Sequence, residues 1–221
     1  NILGTIITAL LQLLPGLSAG NPILGYATDN ALLPKVLFMV ILAPVIEEYI
    51  FRKQLIDRMH IYGEKLAVIT SALMFGLFHG NLSQFFYAFA LGLVFGYVYL
   101  KTGKLRYSIG LHMLINLIGS VIGPFFLEKI AVLDTMETLD LAALEPIMPW
   151  LIAFGAYVLV LIGLAVAGLV LLCINKRRVS FTLAEMELPK GSRFKTAYVN
   201  VGMILLAVGC LALIVASVMP L

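Results

Sequence analysis

Apolar residues fill long blocks of this chain, and the polar residues fall mostly between the blocks. A membrane-crossing helix needs about 20 predominantly apolar residues. Runs near or above that length occupy 2–18, 33–57, 64–82, 84–100, 107–127, 147–174 and 198–219, which predicts seven spans. The first is short and interrupted by Pro15 and Gly16, as expected of a chain that starts part-way into a protein; Asn1 stands first, with no Met and no basic stretch of a cleavable signal ahead of the apolar residues. The second contains Pro44, three residues before Glu47. A proline there predicts a bend and a backbone carbonyl freed beside the carboxylates.

Composition agrees with the pattern. Of 221 residues, 62% are hydrophobic and 12% charged, with mean hydropathy +1.04, against about 45–50% apolar and about 25% charged in soluble domains. The expected fold is all-α: a polytopic bundle of transmembrane helices forming a single domain over residues 1–221. Cys173 and Cys210 fall inside apolar spans and read as small packing residues rather than a disulfide. Gly92 and Gly96 in the fourth span, and Gly155, Gly163 and Gly168 in the sixth, permit close helix contact.

Lysine and arginine set the orientation. The connections 53–65 (Lys53, Arg58, Lys65), 101–106 (Lys101, Lys104, Arg106) and 175–197 (Lys176, Arg177, Arg178, Lys190, Arg193, Lys195) are basic, whereas 19–34 is free of both residues before Lys35 and 128–146 is acidic. The three basic loops are therefore expected in the cytoplasm and the C-terminus at Leu221 outside. The sixth loop also reads as either a segment lying on the membrane surface or an irregular connection. So thin and divided a set of basic residues fits topology and anionic headgroups, and nucleic acid is not an expected partner.

Ionisable groups at membrane depth cost several kcal/mol and mark function. The second span holds Glu47, Glu48 and Arg52. On a helix Glu48 and Arg52 share a face one turn apart and can pair, while Glu47 points about 100° away and needs another partner. The third span ends in Phe75 and His79, and the fifth holds His112 and Asn116, again one turn apart; His60 lies in a loop. Each alone reads as an interhelical hydrogen bond. Together, a carboxylate, two imidazoles and a carboxamide from three spans make a kit for hydrolysis.

The order EExxxR, FxxxH, HxxxN resembles the three motifs of the CPBP family of intramembrane proteases, also called the ABI family, over about residues 40–120. That family includes the CAAX prenyl endopeptidases, and its core has eight spans. The resemblance implies an intramembrane endopeptidase: Glu47 activates a water also held by His79, His112 and Asn116 stabilise the oxyanion, and Glu48, Arg52 and Phe75 support the site without touching substrate. Because the family is commonly labelled metalloprotease, Glu47, His79 and His112 form an alternative zinc-ligand set, with no cofactor required in the metal-free alternative. The implied partners are membrane lipids and a peptide or protein substrate, either prenylated or a bacterial peptide. Two other readings stand beside it: an ion- or proton-coupled transporter, against which there is no inverted repeat, and an immunity or binding protein acting by contact.

A ruler of 1.5 Å per residue puts Glu47, His112 and Asn116 roughly 8 to 15 Å from the cytoplasmic side but His79 about 20 Å from it. That is a mismatch for His79. Tilt, a kink at Pro44 or a third span starting on the cytoplasmic side of Leu66 would absorb it, so the ruler supports convergence only loosely.

Overall fold

The structure is a computed structural model describing residues 32–131, 133, 144–182 and 188–219, together with Ile6, Ala9, Leu10 and Leu13. Among these residues every regular element is helical and there is no strand. The span expected at 2–18 lies almost wholly outside the described residues, as does the middle of the acidic loop 128–146.

The helices cluster into two compact units, Asn1–Asn116 with Phe181–Leu221, and Leu117–Ser180. The first unit holds all seven motif residues. It opens with α1, residues 32–62, helical throughout but wound in three ways: π over Lys35–Leu42 and Tyr49–Ile56, α over Ala43–Glu48 and Asp57–Met59, and 3₁₀ over His60–Tyr62. π-helical turns are rare and recur at functional sites. Gly63 then reverses the chain with φ 124°, a conformation that residues bearing a Cβ rarely adopt.

Helix α2, Glu64–Phe78, returns along α1 and packs on α3, Leu82–Thr102. Small residues let α2 and α3 approach: a Cβ on Gly92 would lie 2.9 Å from the Ala72 Cα, and one on Gly96 3.3 Å from Val68. Ile56 and Met59 of α1, Ala67 and Val68 of α2 and Tyr99 of α3 form a buried cluster toward the Gly63 end. The start of α3 is capped by Asn81, whose Oδ1 accepts from Gln84 N at 2.9 Å, which satisfies a donor that the helix start leaves open. Its end is closed by Gly103, φ 62°, whose N–H donates to Tyr99 O.

Helix α4, Leu105–Lys129, carries a π turn at Ile118–Ile122. Helix α5, Glu145–Arg178, belongs to the second unit and has exposed apolar side chains on every face, among them Leu159, Ile162, Leu164, Leu169 and Leu172. A helix apolar all round is one that lipid surrounds. The chain returns to the first unit through Phe181 and Thr182, where Glu64 Oε2 accepts from Lys101 Nζ at 2.6 Å and from Thr182 N at 2.7 Å. Residues 179–182 are irregular, and 183–187 lie outside the described residues. Helix α6, Lys190–Tyr198, meets α7, Val201–Ala216, at a 70° bend.

The chain is an integral membrane protein. Among the described residues three helices, α3, α4 and α5, are long and apolar enough to cross a bilayer, and the bent pair α6 and α7 makes a fourth if it forms one span. The count of seven is therefore not reproduced among the described residues. α2 has only 15 residues, and α1 carries Glu47, Glu48, Arg52 and Lys53 in a short stretch of mixed winding.

Candidate active site

The α-helical turn of α1 at Ala43–Glu48 presents two carboxylates to different surroundings. Glu48 is fully buried; its Oε2 lies 3.0 Å from Arg52 Nε, and its Oε1 lies 3.1 Å from His112 Nδ1 on α4. Glu47 keeps 19% of its side chain exposed, with Oε2 3.8 Å from His112 Nε2. His112 thus turns one ring nitrogen toward each carboxylate. With His112 protonated, the quartet Glu47, Glu48, Arg52 and His112 carries no net charge, which removes much of the cost of holding ions in a dry interior.

Arg52, fully buried, is held in three ways. It pairs with Glu48, donates through Nη1 to Ser71 Oγ at 3.3 Å, and lies over the Phe75 ring with Cζ 4.6 Å from the centroid. Phe95 flanks it at 5.8 Å. Ser71 in turn donates to Phe51 O at 2.7 Å. Arg52 is therefore a buried cation held between a carboxylate and two aromatic rings.

His79 is the C-cap of α2. Its Nδ1 lies 2.8 Å from Phe75 O; a carbonyl can only accept, so Nδ1 carries the proton and Nε2 of the neutral ring keeps its lone pair. Asn81 Nδ2 donates to His79 O at 2.8 Å, fixing the chain just past the imidazole. Phe75 stands between the two histidines, edge-to-face with His79 at 5.0 Å and with His112 at 5.5 Å. Phe95 stacks on the other side of His112 at 5.3 Å. Tyr87 of α3 sets its ring 6.5 Å from His79. Asn116 donates through Nδ2 to Met39 O at 2.8 Å.

The helices thus bring Glu47, Glu48, Arg52, Phe75, His79 and His112 into one cluster, with Asn116 bound to the same helix as Glu47. Because α1 stays helical through Tyr62, Glu47 lies as many residues before Gly63 as His79 lies after it, which narrows the depth mismatch. Glu48 contacts His112 directly, a contact the sequence did not predict. Ser71, Phe95, Asn81 and Tyr87 were not singled out by the sequence. Ser71 had a usable signal, since Ser71, Phe75 and His79 form a stripe with a four-residue step along one helix face. Phe95 had none.

The proposed zinc set does not fit as it stands. His79 and His112 each direct one nitrogen to a protein oxygen, as metal-bound histidines do. Yet among the described residues no three His, Cys, Asp or Glu side chains converge closely enough to hold a metal ion.

An all-helical, membrane-embedded site built on a buried Glu–Arg pair, a second carboxylate and two imidazoles defines the class. Residues 29–118, which contain every site residue, match the Rce1-like family of type II CAAX prenyl endopeptidases. Over this segment the chain is similar to that family, and it carries the three motifs EExxxR, FxxxH and HxxxN in order. It is 31% identical over 104 residues to the membrane-embedded CAAX protease MroQ of Staphylococcus aureus (strain USA300). That match covers 42% of this chain and 42% of the relative's length. No solved structure matches the chain.

Proposed function

We propose that this protein is an intramembrane endopeptidase that hydrolyses a peptide bond of a membrane-associated or lipidated substrate with a water activated by Glu47. The observation that carries the reading is the asymmetry of the two carboxylates: Glu48 is committed to Arg52 and His112, while Glu47 has no committed cation and retains solvent access. A general base must reach both water and its proton's destination, and only the second carboxylate is free to do so.

In this scheme Glu47 takes a proton from water, and His79 Nε2 accepts the water's other hydrogen and orients it. The hydroxide adds to the peptide carbonyl. Protonated His112, held by Glu48, donates through Nε2 to the developing oxyanion in a low-dielectric site. Glu47 then passes its proton to the leaving amine, and the peptide bond breaks. No step runs through a metal.

The family match and the relative's name favour a CAAX-type tail as substrate, and a bacterial membrane peptide uses the same chemistry. Loops 53–65, 101–106 and 175–197 lie in the cytoplasm in this reading, and labelling of a cysteine introduced between Lys176 and Lys195 from outside intact cells would overturn that orientation. The test of function is a comparison, by mass spectrometry, of new N- and C-termini in membranes expressing the wild type or Glu47→Gln. Termini confined to the wild type support proteolysis and name the substrate; identical profiles with both proteins present and folded refute it.

A further inference from the structure

A π-wound helix pairs each carbonyl with the N–H five residues on. At the end of the Lys35–Leu42 stretch, Ala43 N–H donates to Phe38 O in that register. The next carbonyl is Met39 O, and its partner in the same register would be residue 44, which is Pro44 and has no N–H. Ala43, its partner in α register, is already used. A carbonyl shielded from water and left without a donor is costly, and this part-buried one is met from another helix: Asn116 Nδ2 donates to it at 2.8 Å. The orientation of the amide follows from chemistry, since Met39 O only accepts and Asn116 must present its NH₂. The contact links α1, two turns before Glu47, to α4, one turn after His112.

We propose that Asn116 is a positioning residue for Glu47, acting by closing the backbone carbonyl that Pro44 leaves without a donor. Asn116 and Pro44 are then a coupled pair: the amide is needed because residue 44 is proline. The bond clamps the winding of α1 where it turns Glu47 toward His112, and ties that turn to the helix bearing His112. The catalytic consequence rests on Glu47 being the base, but the structural coupling does not.

The test is a double-substitution cycle on the full chain purified in detergent, with two readouts. The first is the rate at which dicyclohexylcarbodiimide labels Glu47, followed by peptide mass spectrometry, which needs no turnover. Asn116→Ala should change that rate roughly fivefold, the lower end of what an orphaned, part-buried carbonyl implies. In a Pro44→Ala background, where residue 44 supplies an N–H, the same substitution should change it by less than about twofold. Asn116→Leu, isosteric and without donors, repeats the comparison if Asn116→Ala does not fold. The second readout is cleavage of the substrate identified by its termini: Asn116→Ala should lower kcat with KM unchanged, and Pro44→Ala should restore it. Equal effects of the Asn116 substitution in both backgrounds, or a Pro44→Ala protein that has lost Glu47 labelling, overturn the proposal. A wild type that cleaves nothing refutes the protease reading while the labelling cycle still decides this one.

Discussion

Glu48 Oε1 and His112 Nδ1 meet at 3.1 Å although the two residues are 64 positions apart. The contact leaves Nε2 of the imidazole aimed at Glu47. A carboxylate behind a histidine fixes its ring orientation, and losing such a partner costs about 10- to 100-fold. Glu48→Gln, which keeps the shape and removes the charge, should lower cleavage per folded molecule by that order, beyond the stability lost by leaving Arg52 unpaired. Initial rates on equal amounts of purified protein check it; unchanged rates would return Glu48 to a purely structural role.

Arg52 and Glu48 are both fully buried, so removing one partner strands the other charge. Arg52→Met should cost about 3–5 kcal/mol. Glu48→Leu combined with Arg52→Met should cost less than Arg52→Met alone, because no ion is left unpaired. Thermal midpoints in detergent distinguish the two, and a double substitution no more stable than the single one would refute the argument.

Gly92 carries the close approach of α2 to α3. Its substitution by alanine would put a Cβ 2.9 Å from a backbone atom of Ala72, a clash that backbone shifts relieve at about 1–3 kcal/mol. Gly92→Ala should lower the thermal midpoint. Gly110→Ala, with open space at its Cβ, should leave it unchanged or slightly raised. Because α2 carries Phe75 and His79, the Gly92 variant should also lose activity beyond what its unfolded fraction explains.

Metal dependence separates the two chemistries directly. If Glu47 acts on water alone, exhaustive chelation should leave cleavage unchanged and purified protein should contain far less than one zinc per chain. Stoichiometric zinc that leaves together with activity would instead mean that Glu47, His79 and His112 close around a metal when substrate or ion arrives.

The site was legible from sequence because charge is conspicuous in an apolar run: Glu47, Glu48 and Arg52 could be found and paired by helical spacing alone. What escaped was whatever looks ordinary there. Ser71, which holds Arg52, is one of many small polar residues in helices, and Phe95, which stacks on His112, is one aromatic among several in α3. The depth ruler fell short because apolarity stops near residue 57 while the helix does not; polar residues 57–62 continue the winding to Gly63. The freed carbonyl expected from Pro44 was foreseeable, but its acceptance of Asn116 was not, since a π register cannot be read from apolar spacing.

Gly63 makes the two arms of the α1–α2 hairpin into a caliper whose tips are Glu47 and His79. Lengthening one arm by a helical turn would slide one tip about 5.4 Å past the other, opening the jaws on the same substrate. Lengthening both arms by one turn would carry the closed jaws deeper while keeping their gap. How far into the bilayer this protein reaches and how it grips are thus set by separate dimensions of one hairpin, and evolution or engineering could change the first without touching the second.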